Sequence, residues 1–244
     1  MIANEHQRER IRAIAIDAYP NEAVAAITAD GAVVRLTNVA SDPLNSFAVA
    51  QSEYDQCGEV ACLVHSHPNG PLYPSEADMR TQLALGVPFG IIESRQGGAD
   101  GYFEFGGSHK NLHDRPFRHG VTDCYALIKD WYSEELGITL PEFPRSWGWW
   151  SEGGNLYMDG FLSAGFEQIE NKEMRRGDMI FFEIRGHVCH AGVYFGNGEV
   201  FHHLGGINGY DPSRKPMIDS IYRWSKFIHS AYRHKEARDG KSNG

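Results

Sequence analysis

The first lysine in this chain is Lys110. Residues 1–108 carry 6 arginines against 14 Asp and Glu, a net charge of −8, whereas residues 109–244 carry 17 Lys and Arg against 18 acids, a net of −1. A chain of 244 residues is long enough for one large core or two smaller ones, and a compositional step of this size favours two. The junction falls in Gly106-Gly-Ser-His-Lys-Asn-Leu-His-Asp114, a polar, glycine-containing stretch without apolar periodicity. The expected organisation is two domains, 1–108 and 109–244.

The total charge of −9 removes the electrostatic footprint of a general nucleic-acid or anionic-membrane binder. With 41% hydrophobic and 23% charged residues the chain reads as globular. No run of about 18 apolar residues occurs, so no transmembrane helix is expected. Met1–Arg10 lacks an apolar h-region, so the expectation is no signal peptide and folding in a cytoplasm. The four cysteines, Cys57, Cys62, Cys124 and Cys189, contain no C-x-x-C pair, which argues against a disulfide scaffold or an all-cysteine zinc site. Twelve histidines are the unusual count, because histidine is both the commonest metal ligand and the usual acid/base at neutral pH.

Apolar spacing predicts a helix over 4–16 that ends at Pro20, and strands over 23–29 and 32–38 around the tight turn Asp30-Gly31. Strands are also expected at 60–65, 90–93 and 101–105, with a helix opened by Ser75 and running to Leu85. The first half is therefore α/β or α+β. In the second half Thr122 or Asp123 can cap a helix from Cys124 to about Leu136, stopped by Gly137. Strands follow at 179–184, 188–195 and 200–202, the last two joined by Gly196-Asn197-Gly198, an α+β order. The polar segment from Arg233 to Gly244 reads as a frayed tail.

Chemistry concentrates in two places. The first is His65-Ser-His-Pro-Asn-Gly-Pro-Leu-Tyr-Pro-Ser75-Glu-Ala-Asp78. On an extended strand His65 and His67 point to the same side, and Asp78, in the first turn of the next helix, offers a third ligand. Two imidazoles and a carboxylate with an open fourth position make a catalytic rather than a structural zinc set, in which the metal brings the pKa of its water to about 7. H-S-H-P followed by S-x-x-D resembles the JAMM motif of the Mov34/MPN/JAB metallopeptidases. The resemblance implies one zinc held by His65, His67 and Asp78, oxyanion support from Ser75, and an upstream glutamate as general base, for which Glu22 in Tyr19-Pro-Asn-Glu22-Ala fits by order and context.

The second is Cys124, at a helix N-terminus where free N–H groups and the helix dipole favour a thiolate. His190 in His187-Val-Cys-His190-Ala-Gly-Val-Tyr-Phe-Gly-Asn-Gly198 is the candidate base, and His202 on the partner strand can face it across the ladder. Asp123-Cys124, His190-Ala-Gly-Val-Tyr-Phe-Gly and a polar residue twelve positions later resemble the NlpC/P60 cysteine peptidases, a papain-like α+β fold. The resemblance implies Cys124 as nucleophile, His190 as base and His202 as the orienting residue, with His203 the neighbouring alternative. Tyr125 and Ala126 stand where the family has Ser and Gly. Phe117 stands where many members have an assisting tyrosine, which leaves oxyanion support to the Cys124 N–H. A metal site from His187, Cys189 and His190 is the weaker reading of that segment.

A JAMM-like domain followed by an NlpC/P60-like domain is similar to the lambda-type phage tail assembly protein K family, with His119-Gly-Val-Thr-Asp-Cys-Tyr125, Trp149-Trp, Asn155-Leu-Tyr and His202-His-Leu as further matching stretches. That resemblance implies a tail tip or tail assembly protein with peptide hydrolase activity. It implies peptidoglycan stem peptides and other phage tail tip proteins as partners, located in the host cytoplasm during assembly and at the virion tail tip. The competing classes are a structural assembly factor with relic sites and an acyl-transferring NlpC/P60 relative.

Overall fold

The computed structural model describes residues 1–107, 111–152, 156–206 and 210–238. The chain divides into two compact units, Met1–Ser108 and His109–Gly244. His109 in the expected junction and Asn155 in one matching stretch lie outside the described residues.

The first unit opens with α1 (Glu5–Ala18), whose capping box pairs the Asn4 side chain with the Gln7 N–H and the Gln7 side chain with the Asn4 N–H. Its buried stripe, Ile11 and Ala15, packs on Ala25, Ile27, Cys62 and Val64. Five strands follow: β1 (Val24–Thr28), β2 (Val33–Leu36), β3 (Val60–Pro68), β4 (Phe89–Arg95) and β5 (Gly98–Phe105), in the order β2-β1-β3-β4-β5. A short helix, α2 (Gln51–Asp55), lies between β2 and β3. β1 and β2 form the hairpin around Asp30-Gly31, where Gly31 takes φ +87°. β3 and β4 run parallel, so their connection must cross over, and it does so through α3 (Glu76–Leu85). The crossover carries the chain from the carboxyl end of β3, which bears His65 and His67, directly to the N-terminus of α3, which bears Asp78.

The second unit begins with α4 (Cys124–Trp131), capped by Asp123. The expected helix to Leu136 does not continue as an α-helix. Residues Tyr132–Leu136 form a wider π turn, within which the buried Tyr132 hydroxyl donates to the Gly177 carbonyl at 2.5 Å, and Gly137 then closes the element at φ +68°. After α5 (Leu156–Ser163) come β6 (Phe166–Ile169), β7 (Met179–Ile184), β8 (His187–Gly196), β9 (Glu199–His202), β10 (Met217–Ser220), α6 (Ile221–Trp224) and β11 (Ile228–His234). The strands make an antiparallel sheet in the order β10-β9-β8-β7-β11-β6. Leu127, Ile128 and Trp131 of α4 pack onto Phe181, Val193 and Phe201 of the sheet. Both units mix helices and sheets, an α+β protein of two domains.

The frayed-tail expectation is corrected at its start. Arg233 and His234 belong to β11, paired with β6. The Arg233 guanidinium grips both oxygens of the buried Asp178 at 2.8 and 2.6 Å, so a charge that reads as tail is the half-buried partner of a buried carboxylate.

Candidate active sites

In the first unit three ligand-type atoms converge. His65 Nε2 lies 3.0 Å from His67 Nε2, Asp78 Oδ1 lies 3.3 Å from His65 Nε2, and Asp78 Oδ2 lies 3.4 Å from His67 Nε2. All three residues are buried. Neighbouring ligand atoms around a tetrahedral zinc stand about 3.3 Å apart, from bonds of about 2.05 Å, so the set fits one ion of that size. Tautomer control points the same way. His67 Nδ1 lies 2.8 Å from the Pro71 carbonyl, and only an N–H can donate there, which leaves the Nε2 lone pair facing the other ligands. Phe47 covers the His65 ring at 4.7 Å between centroids.

Electrostatics follow from this crowding. Burial lowers the His65 pKa and keeps that ring neutral. For His67 burial acts in the same direction, but Asp78 and the Pro71 carbonyl outweigh it and raise the pKa. Burial works against ionised Asp78, yet the two imidazoles hold it well below the usual carboxylate range. Glu22, buried and close enough to feel His67 and Asp78, is pushed up to about 7, mainly by burial. The structure thus brings Glu22 into the electrostatic neighbourhood of the ligands. Ser75 is the N-cap of α3, and its hydroxyl donates to Asp78 Oδ2 at 2.7 Å while accepting the Asp78 N–H at 3.1 Å. As it stands, that hydroxyl holds the Asp78 carboxylate. Among the described residues no other trio of His, Cys, Asp and Glu converges in this way, so His187, Cys189 and His190 do not come together as a metal set.

In the second unit Cys124 and His190 line one open cleft of about 370 Å³. Cys124 is the first residue of α4. His190 Nε2 lies 2.8 Å from His202 Nδ1. The two residues are not directly opposite, because His202 faces Gly192 in the β8–β9 register and His190 reaches it diagonally. Burial drives the His190 pKa well below its ordinary value and pushes His202 down to about 4, so both rings rest neutral. Phe182 stacks on His190 at 5.5 Å, and Trp224 stands edge-on to His202 at 4.8 Å. His203 takes a different position. It lines the cleft and contacts the Arg214 carbonyl through Nε2 at 3.1 Å, so the ring in hydrogen-bond contact with His190 is His202.

The departures from the family motif are absorbed by the core. Tyr125 is buried and donates to the Pro141 carbonyl at 2.6 Å, and the Ala126 N–H goes to Asp123 Oδ1 at 3.0 Å. Phe117 lines the cleft without a hydroxyl. His119 and Arg145 have no role in the sequence motifs. The structure buries both in the cleft wall around Asp123, with Arg145 Nη2 2.5 Å and His119 Nδ1 3.6 Å from Asp123 Oδ2. The available signal was local: His119 stands four residues before Asp123. Arg145, 22 residues beyond it, left no trace in spacing.

A converging His-His-Asp set on one unit and a helix-borne cysteine with two paired histidines on the other define a class: a JAB-like unit followed by a papain-like thiol unit. Residues 4–102 match the family described as prokaryotic homologs of the JAB domain, and residues 100–231 match the NlpC/P60 family. The chain is 35% identical over 193 residues to tail tip assembly protein K of Escherichia phage lambda, spanning 77% of this chain and 88% of that protein. It is 27% identical over 207 residues to tail tip assembly protein K of Escherichia phage N15, spanning 81% and 84%. A crystal structure of the NlpC/p60 domain of the peptidoglycan hydrolase SagA is similar at 16% identity and a TM-score of 0.35, covering 50% of this chain and 89% of that one. The chain belongs to the phage tail tip assembly protein K family, and its second half to the NlpC/P60 family.

Proposed function

We propose that this chain is a phage tail tip protein that hydrolyses amide bonds in peptidoglycan stem peptides, working beside other tail tip proteins and made in the host cytoplasm. The observation that carries the reading is the 2.8 Å contact between His190 and His202 in a unit where Cys124, at a helix N-terminus, shares the His190 cleft. His190 takes the Cys124 proton, and the thiolate attacks the amide carbonyl. The carbonyl π electrons move to oxygen, which the Cys124 N–H supports. Collapse breaks the C–N bond, His190 returns the proton to the leaving amine, and water then releases the acyl group as the acid. His202 fixes the His190 tautomer throughout.

In the first unit His65, His67 and Asp78 would hold one zinc, which supplies Lewis acidity for amide hydrolysis. Glu22 suits the general base, since its raised pKa lets it hold and pass a proton near neutral pH. Ser75 orients Asp78; oxyanion support from the same hydroxyl would require it to turn away from that carboxylate.

Mass spectrometry of digested murein tests both halves in parallel. Peptide release by the wild-type chain, lost in Cys124→Ala, supports the thiol reading, and retained release in that variant overturns it. A product that persists in Cys124→Ala and disappears in His65→Ala/His67→Ala belongs to the metal unit.

A further inference from the structure

One residue before Cys124 sits a buried ion pair that neither unit's proposed chemistry uses. Asp123 and Arg145 are 3% and 4% exposed. The Asp123 carboxylate accepts from Arg145 Nη2 at 2.5 Å, from the Gly120 N–H at 2.8 Å and from the Ala126 N–H at 3.0 Å. Arg145 is itself pinned: its Nη1 donates to the Phe143 carbonyl at 2.6 Å, and its own carbonyl contacts His119 Nε2 at 3.0 Å. A helix N-cap needs none of this. Two backbone N–H groups already satisfy the carboxylate, and burying a guanidinium is costly enough that an apolar side chain of similar volume would serve the wall as well. What a cap does not need, a nucleophile does. An uncompensated carboxylate beside a thiol opposes thiolate formation and the developing oxyanion.

We propose that Arg145 is a positioning residue of the thiol site that acts through Asp123: it fixes and neutralises the N-cap carboxylate, so that the Cys124 thiolate forms beside a balanced pair and not beside a bare anion. The inference rests on Cys124 being the nucleophile. Other charged or titratable groups face the same cleft. His119 comes from the segment before α4, Arg185 from the β7–β8 turn, His187, Cys189 and His190 from β8, and His203 from the residue that follows β9. His202 stands behind His190. Among the described residues that line the cleft Asp123 is the one carboxylate, so its pairing with Arg145 neutralises the anion next to the thiol.

The test reads the thiol directly and needs no substrate. Full-length protein is alkylated with iodoacetamide across pH, and the Cys124 peptide is followed by mass spectrometry, which separates it from Cys57, Cys62 and Cys189. Arg145→Met should raise the midpoint of Cys124 alkylation by about one pH unit. Arg145→Lys, which keeps the charge, should stay near wild type. Asp123→Asn should move the midpoint down, and Asp123→Asn/Arg145→Met should return it towards wild type. A purely structural role lowers melting temperature in these variants without this signed pattern. An unchanged midpoint in folded Arg145→Met overturns the proposal. If that variant does not fold, a midpoint that fails to drop in Asp123→Asn overturns it instead. Murein release retained in Cys124→Ala removes the nucleophile reading on which this proposal rests, whatever the midpoints. A lowered wild-type midpoint with the expected pattern, but no release from murein, leaves Arg145's role standing and removes only the proposed substrate.

Discussion

His190 Nε2 and His202 Nδ1 lie 2.8 Å apart between two adjacent antiparallel strands. One hydrogen must lie between them. If His190 is to accept the Cys124 proton at Nδ1, its own Nε2 must carry that hydrogen and His202 must be the acceptor. His202→Ala removes the acceptor and lets the imidazole change tautomer and swing. The expected loss in kcat is roughly 10²–10⁴-fold with little change in KM. His202→Asn, whose amide oxygen can accept in nearly the same place, should recover part of that loss. Equal activity in the alanine variant and wild type would show that His202 does not orient the base.

The buried histidines also set an acid limit. His119 and His202 are each pushed down to about 4, mainly by burial, whereas an unfolded histidine titrates near 6.5. The unfolded chain therefore binds more protons than the folded one between these values. The stability they contribute is complete above about pH 6.5 and is lost as pH falls towards 4, at up to about 1.4 kcal/mol per pH unit for each ring. Asp123 acts elsewhere. Burial opposes its charge, but Arg145 outweighs that and holds it below the usual carboxylate range, so its contribution is lost only below about pH 4. Melting temperature should fall steadily from pH 7 to pH 5, and more gently in His119→Gln. An unchanged slope in that variant would remove His119 from the account.

Ser75 links helix capping to metal binding, because one hydroxyl both caps α3 and holds Asp78. Ser75→Ala should cost about 1 kcal/mol as a lost cap and reduce zinc affinity by about 10–100-fold through a loosened ligand. Ser75→Thr keeps the hydroxyl and should keep most of both. Calorimetric titration with zinc, beside thermal melts of the metal-free protein, separates the two effects. Undiminished affinity in the alanine variant would mean that Asp78 is held without Ser75.

These sites were legible in unequal measure. His65 and His67 were readable because strand alternation places i and i+2 on one side, and Asp78 because a Ser cap fixes the first turn of the following helix. The partnership of His190 with His202 could be inferred from the Asn197-Gly198 hairpin, although the register makes it diagonal. Strands β6 and β11 stayed hidden. β11 mixes His229, Ser230, Arg233 and His234 into its run, and those polar groups are acceptable in a strand only because specific partners, such as Asp178 for Arg233, wait for them. Arg145 was invisible for the same reason: a guanidinium in an irregular aromatic segment has no periodicity, and only the folded chain brings it to Asp123. Phe47, far from any motif, covers His65 in the same way.

Gly192 carries the last prediction. It sits opposite His202, and a Cβ built there would come within 2.8 Å of Val200 Cγ2, 2.9 Å of the Phe201 carbonyl oxygen and 3.0 Å of His202 Cβ. One of these neighbours is backbone, so a side-chain rotation cannot relieve the contact; β9 itself must move away from β8. That movement displaces His202, the residue opposite Gly192, and its 2.8 Å contact with His190 cannot be lengthened much and remain a hydrogen bond. Gly192→Ala should therefore lower kcat while leaving the alkylation midpoint of Cys124 within reach of wild type, because the displaced residue is the orienting histidine and not the Asp123–Arg145 pair. Gly205 is a control in the same unit. A Cβ there would meet the Phe117 ring at 2.4 Å, an overlap with a side chain lining the cleft and not with β9. Gly205→Ala should alter KM by moving that wall more than it alters kcat. If Gly192→Ala retains full kcat, the close approach of β9 to β8 is not what keeps His202 on His190.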